Sequence, residues 1–341
     1  MPRSRPVSGP ASRLARAAAL MLFASAVAAT PTRAAPGGGP AGGQGNGRQS
    51  GQQSGEGNGQ QNGQKNQQEQ VDTEHLFGFS EGAETGQKGE QEVVLDTVTR
   101  IGKRRAGPGP STYRVLDTKL GYQFDPTDGF SIELGAFGDL RRVRTIADLD
   151  DKAFGTFDGV SVELKYQFLH ASAEQPVGLA LELRPRFARV LPVEGNGANV
   201  FDMESVLQLD VQVVPGRLWY GANVSFEPAA GRRRGSGGAG FRSSTFLVSQ
   251  SLVGRIAENT FLGPEIRYLR GYDGTFLNQL ESVALTLGPA LHHRFTEKTW
   301  LTLAYAGQVW GRDTDRAYAR RALGLSQFER HALRVKVGVE F

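Results

Sequence analysis

The chain of 341 residues contains no cysteine. That excludes disulfides, Cys-ligated zinc and thiol nucleophiles, and it removes the cysteine that a lipid-anchored leader requires. Stability has to come from burial and hydrogen bonding alone. The chain also lacks an apolar run long enough for a membrane-spanning helix. Its longest candidate, Ala17 to Ala29, falls short of the roughly 20 residues needed. Arg3, Arg5, Arg13 and Arg16 precede that run and small residues follow it, so residues 1–35 are expected to be a secretory signal peptide, with a transmembrane anchor as the alternative. Net charge is missing too. The formal +4, less the four arginines before Ala28, leaves zero, and loss of Arg33 as well leaves −1. A nucleic-acid partner is therefore not expected. Residues 36–70 are Gly, Gln, Asn and Ser with almost nothing apolar, a composition that cannot offset its ordering entropy and is expected to be disordered.

What the rest of the chain does have is alternation. From Leu333 to Phe341 every odd position is apolar, while Arg334, Lys336, Gly338 and Glu340 fill the even ones. A period of two places one set of side chains on each face of a strand. Twelve such segments follow one another: 92–102, 116–124, 130–140, 160–168, 177–187, 201–213, 218–226, 245–256, 262–269, 283–293, 301–309 and 331–341. The fourth is the cleanest, with Val160, Val162, Leu164, Tyr166 and Phe168 against Ser161, Glu163, Lys165 and Gln167. The eighth is polar on both parities. Most segments approach the roughly 9–11 residues that a tilted transmembrane strand requires.

Connections alternate in length. Short turns such as Asp125 to Gly129, Pro215 to Arg217 and Thr296 to Lys298 alternate with longer loops near 103–111, 141–157, 190–199, 228–243, 270–279 and 311–327. That is the pattern of an all-β, antiparallel up-and-down outer-membrane barrel of about twelve strands over residues 92–341, with both termini on the periplasmic side. A soluble two-sheet periplasmic protein is the competing fold. Aromatics near strand ends suit two interfacial girdles: Phe124, Phe130, Phe168, Phe295 and Phe341 at the turn side, and Phe187, Phe201, Phe226, Tyr268 and Trp310 at the loop side. Pro264 and Pro289 should lie at one level of adjacent strands, where the missing donor predicts a bulge or rim position.

The stretch His75-Leu76-Phe77-Gly78-Phe79-Ser80-Glu81-Gly82, continuing to Glu90, together with Phe328-Glu329-Arg330-His331 before the last strand, resembles an uncharacterised family of proteobacterial outer-membrane barrel proteins. The resemblance spans about residues 75–341. It implies location and fold and carries no assigned chemistry. Residues 71–91 are expected to be a periplasmic N-terminal segment, and whether they enter the lumen is left open.

The inward parity carries both signs of charge: Asp117, Lys119, Glu133, Asp139, Glu163, Lys165, Glu182, Arg184, Arg186, Glu204, Asp210, Glu265, Arg267, Arg334 and Lys336. Either they form a constriction that selects solutes, or they pair across the lumen and partly close it. Arg232, Arg233 and Arg234, on a long loop, are candidates for contact with lipopolysaccharide phosphates. Outer-membrane lipid, and the barrel-assembly machinery through the last strand, are the expected partners. No catalytic, cofactor-binding or metal site emerges. His292 and His293 fall on opposite faces of one strand, and His331 with Ser326 or Glu329 is the sole catalytic candidate. The expected function is a passive pore or envelope component for small solutes. A closed structural or adhesive barrel and a lipid-modifying enzyme are the alternatives.

Overall fold

The computed structural model describes residues 71, 73–172, 175–235, 237–315 and 322–341. The expected leader and the low-complexity stretch lie outside the described residues. Twelve strands are found among those described: β1 (Gln91–Ile101), β2 (Thr112–Thr127), β3 (Phe130–Arg144), β4 (Lys152–Leu169), β5 (Val177–Val190), β6 (Gly197–Val214), β7 (Leu218–Arg233), β8 (Gly240–Ala257), β9 (Thr260–Asp273), β10 (Gln279–Thr296), β11 (Thr299–Asp313) and β12 (His331–Glu340). Each pairs with its successor, and β1 closes the sheet against β12 through Val93–Val339, Thr97–Val335 and Ile101–His331. A closed antiparallel barrel leaves no strand edge unpaired.

Burial is inverted relative to a soluble protein. Leu134 is 55% exposed, Tyr166 53% and Phe168 51%, whereas Gln208, Asp210 and Ser249 are no more than 1% exposed. Alternation sets this directly: apolar parity outside, polar parity in the lumen. The eighth segment follows the same rule, with Leu252 and Ile256 outward and Ser249 and Ser251 inward.

The strands run longer than the alternating segments. β4 begins at Lys152 rather than near residue 160, and β7 continues to Arg233. The loops expected at 141–157 and 228–243 shrink to 145–151 and 234–239. A ladder is held by backbone hydrogen bonds and needs no apolar face, so pairing continues past the point where alternation stops. Tight turns form at Gly129 (φ 81°) and Gly216 (φ 67°), where a left-handed backbone favours glycine.

Pro264 and Pro289 do lie at one level, as direct register partners, and the β9–β10 register is unshifted at that level, its one shift falling at Leu280/Ser282. The bulge expected there does not form. Instead, pairing skips two positions on the far side of each strand, between Ser251–Glu265 and Gly254–Leu262 for Pro264, and between Leu287–Gly307 and Ala290–Ala304 for Pro289. Pro185 and Pro228 open equal gaps beside β4 and β6. A barrel has no edge on which to place a residue without an N–H, so the missing donor becomes a local gap with the same register on both sides.

The segment expected as a periplasmic stretch lies inside the barrel. Thr73 to Glu84 include Leu76 at 0% and Phe77 at 1% exposure, and their hydrogen-bond partners are residues of the inner wall.

Candidate functional site

The lumen is occupied by a plug made from the residues that precede β1. Gly89 N–H donates to the Asp125 carbonyl (2.7 Å) and Asp125 N–H to the Glu90 carbonyl (3.1 Å), which ties the segment to the turn side before β1 begins. Further in, the plug folds on itself: Leu76 N–H donates to the Thr73 carbonyl (3.2 Å) and Thr73 N–H to the Glu84 carboxylate (2.6 Å).

Three inward aromatics receive its apolar part. Leu76 and Phe77 pack with Trp219, Phe261 and Val253 into a buried cluster. His75 stacks on Trp300 with ring centroids 4.0 Å apart, and its Nε2 lies 2.8 Å from Glu92. Burial alone would hold the imidazole neutral, but the Glu92 carboxylate, helped by Glu74, outweighs it and raises the pKa above 6.5. Small residues make room for the backbone. A Cβ at Gly78 would lie 2.5 Å from Ala304 Cβ and 2.8 Å from Ala290 Cβ, and one at Gly221 would lie 2.7 Å from the Phe77 ring.

The polar part is held by wall residues that sequence parity placed inward. Glu265 accepts from Phe79 N–H (2.8 Å), from Ser80 N–H and from Ser80 Oγ (2.7 Å). Asp210 accepts from Ala83 N–H (2.6 Å) and from the Thr73 hydroxyl. Asn223 accepts from Glu81 N–H (2.7 Å) and returns a bond from its amide to the Glu81 carbonyl (2.8 Å). The Glu81 carboxylate meets Arg184 at 2.8 Å and Arg334 at 3.5 Å. Burial would raise the pKa of Glu81, but the two guanidinium groups dominate and hold it well below 4.5.

Most of the remaining inward charges pair along the wall, within one strand or between strands close together in the sheet. Lys119 bridges Glu133 (2.7 Å) and Glu163 (2.8 Å), and Arg184 also bonds Glu182 (2.5 Å) and Glu204 (2.7 Å). Arg334 bonds Asp96 (2.6 Å), Arg100 bonds Asp117 (2.7 Å) and Arg141 bonds Asp139 (2.6 Å). Arg186 pairs with Asp158, which a bulge between Phe137 and Gly138 brings inward, and Lys165 reaches Glu74 of the plug. Lys336 sits over Trp300. Arg267 sits over Phe79 of the plug, its Cζ 4.4 Å from the ring centroid. Above the plug the walls enclose cavities of about 160 Å³ and 270 Å³.

The loop side has its own arrangement. Lys103 and Arg104, just after β1, are buried: Lys103 donates to the Ser326 carbonyl (2.9 Å) and Arg104 pairs with Asp313. Burial, only partly offset by Glu329, pushes the Lys103 pKa down to about 7. Arg233 pairs with Glu194 and Arg234 with Asn199, while Arg232 is exposed. The catalytic candidates are turned to other partners. His331 Nδ1 lies 2.7 Å from the Tyr305 hydroxyl, and Ser326 Oγ donates to Asp313 (2.6 Å). His292 and His293 do fall on opposite faces, hydrogen-bonded to Thr302 and Thr260.

Parity located the wall residues, but the plug was not placed in the lumen. Its signal is the three aromatics on the wet face, Trp219, Phe261 and Trp300. An inward indole or phenyl ring in a polar lumen requires an apolar occupant.

Residues 69–341 match the model of a family of unknown function, DUF6662. No match is found among curated proteins. Among solved structures, the chain is similar to the COG4313 outer membrane channel from Pseudomonas putida F1, at 12% identity and a TM-score of 0.47, covering 76% of this chain and 98% of that one. It is similar to the NanC porin at 12% identity and a TM-score of 0.42, over 73% and 98% of the two chains. The translocator domain of the autotransporter NalP from Neisseria meningitidis is matched at 14% identity and a TM-score of 0.44, over 74% and 88%.

Proposed function

We propose that this chain, which belongs to the DUF6662 family of unknown function, is an outer-membrane channel for small polar solutes whose flow is restricted by its own N-terminal plug. Its exterior belt of Leu, Val, Phe and Tyr between two sets of aromatics supports insertion in lipid, and its charged interior supports a wet lumen. In that orientation the loop-side Arg232 would face lipid phosphates.

The observation that carries the reading is the wall-bonded segment from Thr73 to Glu84. It occupies space that a barrel of twelve strands would otherwise leave for solvent, since about eight strands fill with side chains and 16–18 leave an open channel. A barrel serving only as structure would be cheaper to close with apolar side chains. Buried ion pairs often contribute less to stability than a well-packed hydrophobic replacement. Ionic walls that enclose cavities of about 160 Å³ and 270 Å³ above the plug instead suit passage of hydrated solutes.

A second reading, a closed structural barrel, is also compatible with a plug bonded to the wall at so many points. Planar-bilayer recording separates the two. The intact mature protein should show small, infrequent conductance, and a variant lacking residues 71–90 should conduct several-fold more. A plug-less barrel that retains its sheet content and inserts without conducting would defeat the channel reading and leave the structural one.

A further inference from the structure

We infer that the cavity above the plug is a binding site for a small oxyanion, a phosphate or carboxylate group, with Arg267 as its primary ligand. The inference deepens the channel reading by naming the class of solute, and it rests on that reading only for its purpose, since binding is measurable without transport.

Arg267 projects from β9 into the cavity of about 270 Å³ that Phe79, Arg100, Asn223, Ser249 and Arg334 also line. Its guanidinium face lies on the Phe79 ring of the plug, 4.4 Å from the centroid. Stacking uses the face of the group and leaves its N–H edge free. Among the described residues no hydrogen bond or ion pair takes up that edge, and Nε is buried without a partner. The neighbouring arginines differ. Arg100 is matched by Asp117, Arg334 by Asp96, and Arg184 by Glu204 and Glu81. Glu265, two residues away on the same strand, is committed to the backbone of Phe79 and Ser80. The charges of Glu265 and Glu329 both act on Arg267, but neither carboxylate forms a direct ion pair or hydrogen bond with it among the described residues. A half-buried guanidinium whose donors meet no acceptor is costly to keep, and a bound acceptor would relieve that cost. A planar fork of free donors matches two oxygens of a phosphate or carboxylate. Asn223 and Ser249 also line the cavity but are committed to Glu81 and Ser80 of the plug, which leaves Arg267 as the source of free donors.

Isothermal titration calorimetry of the detergent-solubilised full chain tests this, with inorganic phosphate and acetate as probes and choline as the cationic control. The wild type should bind at least one of the anions and not choline. Arg267→Gln should weaken anion binding at least tenfold without loss of thermal stability, because Arg267 makes no ion pair or hydrogen bond to the described residues that the change would break. Arg267→Lys should retain part of the affinity, and Glu329→Gln should tighten it by removing a competing carboxylate from the cavity. Equal anion affinity in wild type and Arg267→Gln, absence of anion binding to the wild type at millimolar concentrations, or weaker binding in Glu329→Gln would each overturn the site. Anion binding that persists in a barrel with no conductance, plug present or absent, would sink the channel reading and leave the site standing.

Discussion

A few wall side chains decide whether the plug stays docked, and two of them make testable cases. Glu265 accepts three hydrogen bonds from two consecutive plug residues, two of them from backbone N–H groups that have no other partner in the lumen. Hydrogen bonds to a charged acceptor contribute about 1.5–3 kcal/mol each and do not simply add, so Glu265→Ala should loosen the plug by roughly 2–4 kcal/mol. Amide exchange at Phe79 and Ser80 should accelerate by about 30-fold or more, while exchange in β2 and β3 stays unchanged. His75 supplies a pH dependence. Its pKa is higher in the docked plug than free in solution, where it is near 6.5, because Glu92 outweighs burial. A raised pKa means that the docked state binds the proton more tightly. The contribution is complete below about 6.5 and is lost as pH rises through the raised value. Protection of residues 73–84 should therefore fall as pH rises from about 6.5 through the raised value, and His75→Gln should flatten that profile. Glu81, held ionised well below 4.5, does not titrate in this window. At this scale the sequence was partly legible. Parity placed Asp210, Glu265, Arg184 and Arg334 in the lumen, because a side chain's face follows from its position along a strand. It could not say that Glu81 meets Arg334, since partners across a lumen depend on closure and on a segment with no periodicity of its own.

Strands show the same division. The apolar centre of every strand was readable, including the weakly patterned β8, whose register is pinned by β7 through Tyr220–Leu252 and Val224–Val248. Strand ends were not, because polar residues such as Arg141 and Arg142 pair as well through their backbones as apolar ones do. The prolines expose a limit of another kind: sequence announces the missing donor but not how a closed sheet absorbs it. Here the neighbouring strand closes over the glycine before each proline in β9 and β10. A Cβ at Gly288 would lie 1.7 Å from the Tyr305 carbonyl oxygen, and one at Gly263 would lie 1.8 Å from that of Leu252. Because the obstructing atoms are backbone, relief requires the strands to part. Gly288→Ala should lower stability by about 1–3 kcal/mol, read as a lower thermal midpoint in detergent. Gly254→Ala, whose nearest contact would be an ordinary 3.7 Å, should fall within about 0.5 kcal/mol of wild type. Equal effects at the two glycines would mean that the strands do not approach as closely as the gaps beside Pro264 and Pro289 indicate.

For the molecule as a whole, two solvents meet on one sheet: an apolar exterior and an ionic interior, with residues 73–84 folded back to occupy the lumen. The exterior follows from composition. The occupied interior follows from the inward rings of Trp219, Phe261 and Trp300, which would otherwise face water. That occupancy is directly measurable, because the chain contains no cysteine of its own. Ser80 Oγ on the plug lies 2.9 Å from Ser249 Oγ on the wall of β8. In the double variant Ser80→Cys with Ser249→Cys, mild oxidation of the folded protein should join the two positions. A reducible mobility shift should appear on gels, absent from either single variant, together with a conductance that stays low until the bond is reduced. A double variant that remains uncrosslinked in the folded barrel, with both thiols open to alkylation, would contradict the plugged lumen.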